Sequence, residues 1–181
     1  KDIDIHIINR LVKDFKIVGY KELVNPGFLE LLNYKGQSTG FVVPRTQAHT
    51  DGLTHEDVYI FVFNDEGDVL IQTRSAEKDT YSSKREASAS GHVQAGESII
   101  QTSYRILKNE LGIEAVADNL IQISQEKYLF RQEIFSEAQI QDSVFTTIFA
   151  YILTPRDSMA FNFGEVKSIE FASLDKELKG I

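Results

Sequence analysis

The chain of 181 residues contains no cysteine, which excludes disulfides, thiolate metal sites, iron–sulfur clusters and any catalytic thiol. Long apolar runs are missing as well. The longest, Val58–Phe63 and the equally long Ile148–Leu153, fall far short of the ~20 residues a membrane-spanning helix needs. The first residues, Lys-Asp-Ile-Asp-Ile-His, lack the apolar stretch of a signal peptide, so a cytoplasmic location is expected. Nor is there a basic excess: 19 Lys and Arg against 27 Asp and Glu leave a formal charge of −8. That balance argues against a nucleic-acid surface or a polybasic membrane patch, although a small local cluster of cations can still bind an anion.

What is present is ordinary for one soluble domain: 42% hydrophobic and 25% charged residues. Ile3, Ile7, Ile8, Leu11, Val12 and Phe15 recur at helical spacing and predict an amphipathic helix over 3–16. Asn25-Pro26-Gly27 breaks the chain, so residues 1–28 read as a helical extension and 29–181 as the main domain. Phe28–Leu32 and Ser38–Val43 flank Lys35-Gly36 as a hairpin, and Val58–Phe63 with Val69–Thr73 form a second pair of strands across an Asp-Glu-Gly-Asp turn. Residues 75–90 are polar and Ser-rich, and read mostly as loop. Ser98–Leu111 predicts a helix, with Ile99, Ile100, Ser103, Leu107 and Leu111 facing inward and Gly112 as the stop. Strands near Leu120–Ser124, Tyr128–Phe135, Val144–Leu153 and Ser168–Phe171 follow, then a short helix over Asp175–Lys179. Many strands with few helices indicate an α/β (α+β) fold, a mixed β-sheet sandwiched between α-helices.

The most informative stretch is Gly91-His92-Val93-Gln94-Ala95-Gly96-Glu97, followed by Arg105, Glu110, Gly112 and Ile113. Glycines before a helix let the backbone approach a ligand closely, and the helix start offers free N–H groups to an anion. Carboxylates at 106, 109 and 110 would project from neighbouring faces and hold a hard divalent cation. Gly91, Glu97, Arg105, Glu110, Gly112 and Ile113 stand in the register of the Nudix box, and the chain resembles the Nudix superfamily. It departs from the box at Ile106 and Asn109, where glutamates are expected.

A narrower resemblance is to Nudix-type isopentenyl-diphosphate isomerases, which also lack those two glutamates and keep the one matching Glu110. They build a metal site from three histidines and two glutamates. His49, His55 and His92 match the histidines, with the first interval one residue shorter. Asp142 and Val144 match the glutamates. The resemblance thus implies His49, His55, His92, Asp142 and Glu110 as metal ligands, with Mg²⁺ or Mn²⁺ as cofactor; imidazoles suit a transition metal such as Mn²⁺ or Zn²⁺ better than Mg²⁺. Arg45 stands four before His49, and Arg74 and Lys78 are four apart, as basic residues are in the isomerases. With Arg105 they are the expected diphosphate-binding set.

The isomerase reaction itself is not expected. It moves protons on and off carbon with a cysteine and a glutamate, for which this chain has Ser90 and Val144; Phe171 stands where the family has a tryptophan. Three readings remain. One is a divalent-metal-dependent hydrolase of a diphosphate linkage in a small molecule, with Glu97, Glu110 and Glu165 as candidate catalytic carboxylates. A second is a diphosphate-binding module without catalysis, and a third an interaction domain that keeps only the fold. The hydrolase is favoured. A small-molecule partner, no nucleic acid, no membrane and a homodimer complete the expectations, with loops 75–90 and 136–143 and whatever residues 1–28 cover setting substrate choice.

Overall fold

The computed structural model describes residues 27–78, 80–124, 129–135 and 140–179. The expected helix over 3–16 lies outside them. Ten strands are described: β1 (Phe28–Leu32), β2 (Ser38–Pro44), β3 (His55–Phe63), β4 (Val69–Arg74), β5 (Arg85–Glu86), β6 (Ala89–His92), β7 (Leu120–Gln122), β8 (Leu129–Phe135), β9 (Ile140–Ile152) and β10 (Val166–Ala172). The helices are α1 (Arg45–Asp51), α2 (Ile99–Leu111) and α3 (Leu174–Lys179). None is long and apolar enough to cross a membrane. The mixed α/β architecture is the one expected from the sequence.

The described residues fall into two compact units. The first takes in residues up to Asp57, His92–Ile99 and part of 128–146. Its antiparallel hairpin β1–β2 pairs Phe28 with Pro44 and Leu32 with Ser38. Leu29, Leu31, Val43, Ala48 and Leu53 form its apolar cluster, with Phe41 against it. Helix α1 was not legible in the sequence. It begins directly after Pro44 and ends at Gly52, whose left-handed conformation (φ 62°) returns its N–H to the Ala48 carbonyl. Two further contacts fix this unit. The Val93 N–H donates to the Glu56 carbonyl at 2.8 Å, and β8 pairs with the first half of β9, setting Glu133 opposite Asp142.

The second unit holds Val58–Gly91, residues 100–127 and Thr147 onward. The larger sheet has the strand order β10-β4-β3-β9-β7, with β5 on β4, β6 on β3 and β8 on β9. Val58, Ile60 and Val62 of β3 are completely buried, as the alternation of a strand with one covered face requires. Between β3 and β4 the ladder is short, with Phe63 opposite Val69. Buried Ser88 extends the connection: its hydroxyl accepts from the Val62 N–H at 2.7 Å and donates to the Leu70 carbonyl at 2.5 Å. On α2 the buried face runs through Thr102, Ser103, Ile106, Leu107, Glu110 and Leu111. Ile100, expected inward, is 39% exposed, because it lies in the first turn, ahead of the covered stretch. Gly112 stops the helix with φ 72°, as expected.

Two loop expectations are modified. Within 75–90 the chain forms β5 and begins β6, and 140–143 belong to β9. β9 is longer than the apolar run alone suggests, because polar Gln141 and Asp142 continue the ladder with β8.

Candidate functional site

Four side chains from separate places in the sequence meet in the first unit. His49 sits on α1, His55 opens β3, His92 closes β6 and Asp142 is the third residue of β9. Asp142 Oδ1 lies 3.6, 3.3 and 3.5 Å from the Nε2 atoms of His49, His55 and His92. The imidazole centroids are 5.3, 4.9 and 4.8 Å apart. One ligand atom from each residue lies within 4.8 Å of every other. Ligands bound ~2.1 Å from one ion at tetrahedral angles are about 3.4 Å apart, so this spacing fits a single transition-metal ion.

The chemistry of the donors agrees. His49 and His55 are buried, yet their Nε2 atoms and Asp142 Oδ1 have no hydrogen-bond partner. Such atoms are costly to bury unless something else satisfies them. His55 Nδ1 lies 2.8 Å from the Leu53 carbonyl. As the donor to that oxygen it leaves the Nε2 lone pair facing the group, the arrangement that orients metal-binding imidazoles. Burial, reinforced by the charges of His92 and Arg45, pulls His49 down to about 3. Burial likewise pulls His92 to about 4, against the attraction of the nearby Asp142 carboxylate. Burial alone would raise Asp142, but His55 and His92 outweigh it and hold the carboxyl well below its usual range. Neutral imidazoles beside an ionised carboxylate are the protonation states a metal ion takes. A His₃Asp set fits Mn²⁺ or Zn²⁺.

Arg45 starts α1 one turn before His49, and its charge acts on both His49 and His92. In the same unit the Glu97 carboxylate accepts from the Gln94 N–H at 3.3 Å. Half-buried next to His55, Glu56 is pushed up to about 7 by desolvation and then by the charges of Asp57 and Glu30.

The remaining candidates belong to the second unit. Glu110 is buried on α2 and accepts from Gln72 Nε2 at 3.3 Å. It is not one of the four clustered ligands. Desolvation pushes its carboxyl up to about 7; Lys78 works against this, while Glu86 and Glu165 add to it. Lys78 forms an ion pair with Glu165. Arg74 pairs with Glu86 and donates through Nε to the Thr80 carbonyl at 3.1 Å. Arg105 is half-buried on α2.

The two departures from the box have different surroundings. Ile106 is 3% exposed, and a Cβ on Gly91 would stand 3.0 Å from its Cδ1; it is packing, and requires glycine at 91. Asn109 faces solvent. Sequence reasoning missed Glu86, which also accepts from Ser90 Oγ at 2.7 Å, and Gln72. The signal for Glu86 is strand register alone, since it pairs across from Gln72.

Comparison with known proteins follows the same lines. A family model described as NUDIX domain matches residues 53–180. Nudix hydrolase 3 of Arabidopsis thaliana is 24% identical over 152 residues, 81% of this chain and 19% of that protein. The chain thus spans about a fifth of the length of that relative. An isopentenyl-diphosphate Delta-isomerase of Escherichia coli is 29% identical over 152 residues, covering 83% of this chain and 79% of the isomerase. Among solved structures, DR0079 from Deinococcus radiodurans superposes with a TM-score of 0.59 at 21% identity, over 84% of this chain and 87% of that one; this likeness concerns the fold.

Proposed function

Since this chain belongs to the Nudix family, we propose that it is a divalent-metal-dependent hydrolase that cleaves a diphosphate linkage in a small molecule. The observation that carries the reading is the convergence of His49, His55, His92 and Asp142 on one point with two buried imidazole nitrogens and a carboxylate oxygen unsatisfied. A Mn²⁺ ion bound there would supply Lewis-acid stabilisation of charge developing on phosphate oxygens.

The chain's own residues do the rest. His55 is oriented by the Leu53 carbonyl, and His49 and His92 stay neutral at physiological pH because they are desolvated. Arg45, one turn from His49, offers a guanidinium to a phosphate oxygen. Arg74, Lys78 and Arg105 are the further candidate anion contacts. Arg74 and Lys78 are held by Glu86 and Glu165, so a diphosphate reaching them exchanges one anion for another. Glu97, Glu110 and Glu165 are the candidate carboxylates for accepting a proton from the attacking water. Glu110, with a pKa raised to about 7, is matched to proton transfer near neutrality.

Allylic isomerisation is not proposed despite the likeness to the bacterial isomerase. Val144, completely buried, has no proton to move, and the Ser90 hydroxyl is a far weaker acid than a thiol and is donated to Glu86.

A non-catalytic diphosphate-binding module is the second reading, favoured by Ile106 and Asn109 in place of carboxylates. A panel of nucleotide sugars, dinucleotides, coenzymes and prenyl diphosphates with Mn²⁺ or Mg²⁺ separates the two. Metal-dependent release of a monophosphate from one of them supports the hydrolase. Ligand-dependent thermal stabilisation without turnover supports the module, and neither result would reject both.

A further inference from the structure

Arg74 is held from two sides and open on a third. It ends β4 two residues beyond Gln72, whose cross-strand partner on β5 is Glu86, and its backbone N–H donates to the Lys84 carbonyl at 2.9 Å. Arg74 and Glu86 stand diagonally across paired strands, within reach of long side chains. The guanidinium donates through Nε to the Thr80 carbonyl at 3.1 Å and through Nη1 to Glu86 Oε2 at 2.5 Å. Among the described residues nothing accepts from Nη2. The Arg74 side chain is only 12% exposed, and a donor so covered is costly to leave unmade. Glu86, 13% exposed, is held at its other oxygen as well, where Ser90 Oγ donates to Oε1 at 2.7 Å.

We propose that Glu86 is the resident anion of a phosphate-binding arginine, exchanged for the ligand on binding, and that Ser90 is the positioning residue that keeps the displaced carboxylate satisfied. This deepens the diphosphate reading of Arg74 and rests on it. The two Nη atoms of a guanidinium form a fork that takes two phosphate oxygens at once. In the free protein Glu86 occupies one prong. An anion arriving at Nη2 takes the other and then displaces Glu86 from Nη1, while the Thr80 carbonyl holds the fork in place through Nε. No covalent bond changes. The exchange selects by charge: one carboxylate is already seated, so an incoming anion must bind the fork better than a carboxylate does. The phosphate groups of a diphosphate meet that condition, and a lone carboxylate does not. Glu86 keeps the Ser90 hydroxyl after it leaves Nη1, so its charge is not left without a hydrogen bond.

Calorimetric titration of the metal-free full chain with inorganic pyrophosphate tests this. Glu86→Gln keeps an acceptor oxygen for Nη1 but removes the competing charge, and should bind pyrophosphate about 10-fold tighter than the parent. The gain should vanish when Arg74→Met is combined with it, whereas a carboxylate repelling the anion from a distance would give the same gain in both backgrounds. Ser90→Ala should weaken pyrophosphate by about 10-fold in the parent, by loss of a charged hydrogen bond, and have no effect in Glu86→Gln. Glu86→Ala serves as a second variant, and a cooperative thermal melt establishes that each is folded. Binding seen only in Glu86→Gln and lost with Arg74→Met also supports the proposal. Equal or weaker binding in both folded Glu86 variants, or a gain that persists with Arg74→Met, overturns it and leaves the diphosphate reading standing. An equal effect of Ser90→Ala in both backgrounds overturns the role of Ser90. No pyrophosphate binding by the parent or any variant, with or without Mn²⁺, overturns the diphosphate reading and the proposal with it.

Discussion

His55 Nε2 lies 3.3 Å from Asp142 Oδ1, while the other ring nitrogen of His55 lies 2.8 Å from the Leu53 carbonyl. A strand-opening histidine is thereby fixed at one end by its own backbone and aimed at a carboxylate 87 residues away in sequence. The main chain sets the tautomer, and the tautomer decides which nitrogen is free to bind a metal.

Removing that imidazole should remove the metal. His55→Ala is expected to weaken Mn²⁺ affinity by at least ~100-fold, since loss even of a partner of a ligand costs 10–100-fold. Thermal denaturation with and without Mn²⁺ checks it. The parent should gain stability with the ion, and the variant should not.

Gly52 ends α1 with φ 62°, and a Cβ there would stand 2.9 Å from the Gln141 side chain. Gln141 precedes Asp142 on β9, so the helix carrying His49 is seated against the strand carrying Asp142. Gly52→Ala is expected to lower stability by about 1–2 kcal/mol from backbone strain. Mn²⁺ affinity should fall with it. Urea unfolding and metal titration of the same variant measure both effects.

The Ser88 hydroxyl joins β3 to β4 where their ladder is short. In Ser88→Ala the Val62 N–H and Leu70 carbonyl lose a buried partner. A stability loss of about 1–3 kcal/mol is expected in urea unfolding. No change would mean that the strands close the gap themselves.

Glu110 predicts a pH dependence of defined sign. Its ordinary value is 4.5 and burial pushes it up to about 7. Between those values the folded chain keeps a proton that the unfolded chain releases. The stabilisation is complete below about pH 4.5 and is lost as pH rises through about 7. Glu110→Gln, uncharged throughout, should gain on the parent over this interval and then level off, by at most about 3 kcal/mol. Urea midpoints of the metal-free proteins at pH 5 and pH 8 test it; an equal difference at both would contradict it. His49 and His92, lowered to about 3 and 4, act the opposite way in parent and variant alike. Their contribution is absent in strong acid and is gained as pH rises to the ordinary histidine value of about 6.5.

Much of this was legible in the sequence. The interval from Gly91 to Ile113 announced a glycine-flanked helix carrying Glu110 as a candidate carboxylate, but not that Glu110 lies on its buried face. The histidines and Asp142 could be named only through resemblance, because no periodicity links 49, 55, 92 and 142. Their meeting depends on strand pairing across the chain. Helix α1 escaped notice because seven residues are too few to establish an apolar stripe. The partners of Arg74 and Lys78 were hidden for another reason. Spacing marked both as cations for a ligand, but Glu86 and Glu165 reach them through the pairing of β4 with β5 and the approach to β10.

The most direct measurement is anomalous X-ray scattering from crystals grown with Mn²⁺. The expected result is one strong peak within bonding distance of His49, His55 and His92 Nε2 and an Asp142 carboxylate oxygen. A saturated crystal with no peak there, or with its only peak at Glu110, would contradict the assignment of these four residues as the metal centre.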